Sequence, residues 1–158
     1  MASRTDPIEA HGDDPRGTFN FLVEIDDGDG VKARFTEVAG LKGDVEEFEI
    51  KEGGLNDRTH KLRGRIIWGP VTLKKGMGDE QFFWDWWQQV VDGGSMQDIQ
   101  RNVSIILQDR DGSTTVRKWD LEKAWPKSWE STALNAGASE IAIETLVLNH
   151  AGITESTS

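Results

Sequence analysis

The 158-residue chain contains no cysteine, which excludes disulfides, thiolate nucleophiles and cysteine metal sites together and leaves the redox compartment undetermined. Its stability must come from packing and assembly. It also lacks any apolar run near the roughly 20 residues that a membrane span requires, so no insertion into a bilayer by this chain alone is expected. Met1–Asp14 is polar and lacks the charged-then-apolar order of a signal peptide, so synthesis and assembly are expected in the cytoplasm. Basic residues are the minority, 18 against 28 acidic, for a formal net charge of −10. A nucleic-acid binder neutralises phosphates with the opposite balance; the acidity here reads as solubility or as adaptation to high salt.

Catalytic signatures are missing as well. No GxxxxGK[ST], GxGxxG or GxSxG occurs, so neither a phosphate cradle nor a serine nucleophile elbow has support. His11, His60 and His150 lie at no metal-ligand spacing. Asp26-Asp27-Gly28-Asp29-Gly30 and Asp109-Arg110-Asp111-Gly112 read as turns, because a calcium loop needs a later carboxylate and flanking helices. Glu46 and Glu47 are neighbours on a strand and point to opposite faces, the wrong geometry for a shared acid and base. No enzyme, cofactor or metal is expected.

What is present is mostly strand. Thr18–Ile25 places Phe19, Phe21, Val23 and Ile25 on one face, meets a turn at Asp26–Gly30, and is followed by Val31–Val38 as its hairpin partner. Val45–Glu52 sets Phe48 and Ile50 against Glu47, Glu49 and Lys51, and Arg58–Arg65 returns with as many basic residues as the outgoing strand has acidic ones. Ile66–Lys75, interrupted at Gly69-Pro70, reads as a further strand. Arg101–Gln108, Thr114–Ala124, Lys127–Leu134 beyond a break at Pro126, and Ser139–His150 complete the set, with a loose tail from Thr154. Such spacing indicates an antiparallel sandwich or barrel.

The spacing predicts one helix, Asp79–Val91, with Asp79 as N-cap and Gly93-Gly94 as stop. Its apolar stripe comprises Phe82, Phe83, Trp86, Trp87, Val90 and Val91, long enough to cover one sheet or barrel mouth. Trp84 falls off that stripe. Seven tryptophans without a tyrosine admit two readings of any exposed ring, a subunit contact or a stacked ligand.

The order of motifs along almost the whole chain resembles the inner tail-tube proteins of contractile phage tails and extracellular contractile injection systems, relatives of the type VI secretion ring protein. The resemblance is carried by Phe19–Ile25, Phe35–Leu41, Lys51–Gly54 with Lys61–Gly64, Val71–Gly76, the Trp-rich helix, Trp125-Pro126, Leu134–Ala136 and Ile143–Gly152.

It implies a mainly β fold with one α-helix, an antiparallel β-barrel or sandwich of tail-tube type with an extended intersubunit hairpin. The division is then a polar arm over residues 1–15, a tail-tube domain over 16–153 and a tail over 154–158. The implied function is a structural subunit of six-membered rings that stack into a hollow tube, conduit and piston when the surrounding sheath contracts. Implied partners are further copies, sheath, baseplate or hub, terminator, and a DNA or effector-protein cargo in the lumen. The hairpin would join subunits through Glu46, Glu47, Glu49 and Glu52 outgoing and Arg58, Lys61, Arg63 and Arg65 returning, with Phe48 and Ile50 as apolar anchors. Two other readings of the residues stand beside this one: a self-contained hairpin with its charges paired, and a monomeric β-sandwich that binds carbohydrate through exposed tryptophans.

Overall fold

The computed structural model describes residues 20–26, 30–51, 53, 59–78, 81–132, 134–137 and 142–156, with only the backbone of 31 and 32. Strands β1 (Asn20–Ile25), β2 (Val31–Phe35), β3 (Glu37–Ala39), β6 (Val71–Gly76), β7 (Arg101–Gln108), β8 (Thr115–Ser131), β9 (Ile143–Asn149) and β10 (Gly152–Ser156) form one antiparallel eight-stranded sheet. Its order is β2-β1-β7-β8-β9-β6-β3, with β10 added alongside β8.

The two ends of that order, β2 and β3, are separated in the chain by Thr36 alone. The sheet therefore curls until a single extended segment closes it. Thr36 marks the seam, its backbone N–H and its hydroxyl donating to Lys74 O at 2.9 and 3.0 Å. The expectation that Val31–Val38 pairs throughout with β1 is corrected here: the first half pairs with β1 and the second with β6.

The alternation expected from period-2 patterning fills the interior. Val23 and Ile25, Ala33 and Phe35, Val71 and Leu73, Val103 and Ile105, and Leu146 and Leu148 all point inward and are buried. β8 breaks the period, with Leu121 and Ala124 both inward. The extra residue is absorbed at Lys123, in the left-handed region at φ 50°. Pro126, expected to end a strand, is buried inside β8 instead. A register shift between Pro126 and Ser128 accommodates its missing donor. The chain end, expected to be loose from Thr154, pairs with β8 through Ser156.

Helix α1 runs Phe82–Val91 and inserts Phe83 and Trp86 into the core. It ends before Gly93, at φ 74° in the left-handed conformation that glycine adopts freely. The Asp79 cap lies outside the described residues. Phe82 packs against the core, but Val91 is 58% exposed and leaves the expected stripe. At the 3.6-residue period Val91 stands about 80° round the helix from Phe83, on the flank of Trp84, itself 42% exposed.

A second helix corrects the single-helix expectation. α2 (Met96–Ile99) is capped by the Ser95 hydroxyl, which accepts from Asp98 N–H, and Ile99 O accepts the Trp86 indole N–H at 2.8 Å. Below α1, Lys75 and Glu144 form an ion pair at 3.8 Å with only 5% and 6% of each residue exposed. Glu144 also accepts from the Trp129 indole at 2.6 Å, and Lys75 Nζ stands 4.5 Å above the Phe83 ring.

Candidate assembly interface

Strands β4 (Gly43–Lys51) and β5 (Thr59–Trp68) form a two-stranded sheet of their own, outside the eight-stranded sheet. The nine residues of β4 span about 30 Å at about 3.3 Å per residue. β5 continues through Ile66–Trp68, residues expected in the next strand. Gly69-Pro70 is the turn between the two sheets, where proline cannot donate to a ladder. Gly40, at φ 87°, is required at the entry: a Cβ there would fall 2.3 Å from Pro70 O.

Register divides the hairpin into two faces. Phe48 lies opposite Leu62 and Ile50 opposite His60, while Glu47 faces Arg63 and Glu49 faces Lys61. Opposed residues share a face and successive ones alternate. One face is therefore apolar, with Phe48, Ile50 and Leu62, and the other charged, with Glu47, Glu49, Lys61 and Arg63. The Phe48 ring crosses Gly64, where a Cβ would come within 2.5 Å of Phe48 Cε2 and 2.8 Å of Glu46 O. Glycine at 64 is thus what lets the aromatic side chain lie on the strand.

Among the described residues, two charge pairs close within the hairpin. Lys61 Nζ lies 3.4 Å from Glu47 Oε2, and Arg65 Nη2 lies 3.1 Å from Glu46 Oε1. Glu47, Lys61 and Arg65 are open to solvent and Glu46 is half-buried, so each pair contributes about 0–1 kcal/mol. The apolar face has no such satisfaction. Phe48 is 57% exposed and Ile50 and Leu62 are both half-exposed; nearer the root Val45 and its partner Ile66 are half-exposed too, as is Ile67 on the face opposite Ile66. A two-stranded hairpin is marginal in water without further packing, and apolar side chains gathered on one exposed face mark a contact surface.

Of the residues expected to form the interface, Glu46, Glu47, Phe48, Glu49, Ile50, Lys61, Arg63 and Arg65 share this hairpin, while Glu52 and Arg58 lie outside the described residues. The exposed Leu62, Val45, Ile66 and Ile67 were not among the expected residues, because each stands beside a charged or apolar neighbour that masks the alternation. The signal was available in the apolar positions of both strands. The stacked-ligand reading finds little surface: Trp84 is the one tryptophan among the exposed large apolar residues, and its ring packs edge-on against Trp129 at 4.7 Å. Among the described residues no three His, Asp or Glu side chains gather as a metal site, and no helix is long and apolar enough to cross a membrane.

Solved structures share this fold over most or all of its length. A chain of the PVC sheath-tube complex of an extracellular contractile injection system, in the extended state, superposes with a TM-score of 0.75 at 21% identity, covering 99% of this chain and 100% of that one. A chain of the anti-feeding prophage cap, the AFP tube terminating cap, gives 0.74 at 22% identity with 100% of both chains covered. Hcp1 from Flavobacterium johnsoniae gives 0.52 at 10% identity, over 86% of this chain and 94% of that one. No curated protein matches the chain. The family of T4-like virus tail tube protein gp19 matches residues 17–154. The match spans nearly the whole chain, so the chain belongs to the T4-like virus tail tube proteins, a structural rather than an enzymatic family.

Proposed function

We propose that this chain forms hexameric rings that stack into the hollow inner tube of a contractile tail or injection system, and that hairpin β4–β5 is the arm by which one subunit holds the next. The observation that carries this reading is the hairpin's exposed apolar face of Phe48, Ile50 and Leu62 beside charges that are paired within the hairpin. An arm with two of its charge pairs already closed gains on assembly chiefly by burial of its apolar face. The exposed carboxylates and guanidinium groups then set register and partner choice.

A heterologous contact of arm onto neighbour closes into a ring when the rotation permits. The tube-forming unit is residues 16–153 together with the end of β10. The tube does no chemistry; it is a conduit and piston for DNA or effector protein, moved when the sheath around it contracts. The related structures include sheath-tube, baseplate, cap and terminator assemblies, which supports a sheath outside, a baseplate at one end and a terminator at the other. Electron microscopy of the purified chain tests this: rings or tubes are expected, and their loss in Phe48→Asp/Ile50→Asp with the barrel still folded. A wild-type chain that stays monomeric beside sheath and baseplate would overturn it.

A further inference from the structure

A projecting arm must be aimed before its apolar face can meet a neighbour in register, and the aim is set at its root. There Gly43 pairs with Trp68, and Gly69 N–H donates to Lys42 O at 2.9 Å. The far end of the chain reaches the same place. His150, just beyond β9, contacts Gly69 O through Nε2 at 2.9 Å. A carbonyl only accepts, so Nε2 carries the proton and donates. Nδ1 is buried without a hydrogen-bond partner among the described residues.

That orphaned nitrogen is informative. An apolar ring would fill the space without the desolvation penalty that an unpaired buried polar atom carries. What the imidazole adds is the bond to Gly69 O.

Packing around it supports the same role. The His150 ring lies 6.1 Å from the Trp68 indole, and a Cβ at Gly43 would come 2.9 Å from Trp68 Cζ3. Trp68 is therefore pressed flat on the start of β4. Ala151 N–H donates to Glu122 O at 2.8 Å, so the corner that carries His150 is fixed to β8. A groove of about 240 Å³ remains between root and β10, lined by Leu41, Lys42, Trp68, Trp119 and Ile153 among others. This is room into which an unlatched hairpin can swing.

We propose that His150 is a positioning residue, a latch that fixes the angle between hairpin β4–β5 and the barrel; its use in assembly rests on the reading of the hairpin as an intersubunit arm. The absence of cysteine makes the test clean. Spin labels on cysteines introduced at Lys51 and Glu130 report the arm's angle in the full-length chain held below its assembly concentration.

A single narrow distance distribution is expected for the unchanged latch, and a broad one for His150→Phe, which keeps a ring and removes the donor. His150→Gln, whose amide can donate from a similar place, restores the narrow distribution. Hydrogen exchange at the Gly69 amide should quicken about fivefold in His150→Phe, the scale of one lost hydrogen bond, while amides of β1 and β7 stay unchanged. Should His150→Phe fail to fold, His150→Asn, too short to reach Gly69, carries the same comparison. A distribution as narrow as wild type in these variants, or a failure of glutamine to rescue, overturns the latch. Because the labels are read before assembly, that result leaves the arm's contact with a neighbour standing. A tube that still forms with charged Phe48 and Ile50 positions would overturn the contact and leave the latch.

Discussion

The barrel and the hairpin use the same period-2 alternation to opposite ends. In β6 and β9 the alternate residues Val71, Leu73, Leu146 and Leu148 are removed from water by strands, helix and each other. In β4 and β5 the alternate residues Phe48, Ile50 and Leu62 are presented to water on a sheet only two strands wide. Charges invert too: Lys75 and Glu144 are buried in the barrel, while Glu47 and Lys61 of the hairpin pair in solvent. One region buries its apolar residues within the chain, and the other leaves them exposed, as the proposed contact with a neighbour requires. Substitutions should therefore separate folding from assembly.

The largest effect is expected at the buried ion pair. Lys75→Ala leaves Glu144 charged and uncompensated, at a cost of about 3–5 kcal/mol; denaturant unfolding reads it, and tube yield should fall only through loss of folded chain. Leu73→Ala in the core should cost about 2–5 kcal/mol by the same measurement. If either variant kept full stability while losing tubes, the division between the regions would collapse.

Hairpin substitutions should give the reverse pattern. Phe48→Ser should change barrel stability by no more than about 0.5 kcal/mol, the range of surface substitutions, while abolishing rings in electron micrographs. Glu47→Lys with Glu49→Lys should weaken assembly less than Phe48→Ser, since exposed pairs contribute about 0–1 kcal/mol; sedimentation of assembled material ranks the two. Equal loss in both would return the leading role to charge.

The smallest effect is predicted in the β7–β8 turn. Hydrogen bonds from the Ser113 hydroxyl and backbone hold the Asp111 carboxyl below its ordinary value of 3.8. A depressed carboxyl stabilises the folded turn fully above that ordinary value and loses the contribution as pH falls through the lower folded one. Protection of the Gly112 and Ser113 amides, relative to their intrinsic exchange rates at each pH, should fall only in that acidic window, and Asp111→Asn should abolish that fall.

Much of this was legible in residue order. The alternation of Phe21, Val23 and Ile25, the split of Phe48 and Ile50 from Glu47 and Glu49, and the stop at Gly93 are local patterns with local causes. Elements that depend on distant partners were not. The switch of pairing at Thr36 depends on Lys74, thirty-eight residues away, and nothing beside Pro126 tells that a register shift will carry β8 through it. Val91 was misplaced because a stripe drawn from adjacent pairs is wider than the core it meets. α2 was missed although Ser95-x-x-Asp98 announces a cap; four residues are too few for a periodic signal. The proposed interface was placed on this hairpin by its charges, and the exposed apolar residues between them are the stronger argument for it.

The most direct test is a reconstruction of the assembled tube at side-chain resolution. We predict Phe48, Ile50 and Leu62 buried against a neighbouring copy, with Glu47–Lys61 and Glu46–Arg65 still paired within their own hairpin. A tube in which those three side chains face solvent, while another surface joins the subunits, would contradict the proposed role of the hairpin.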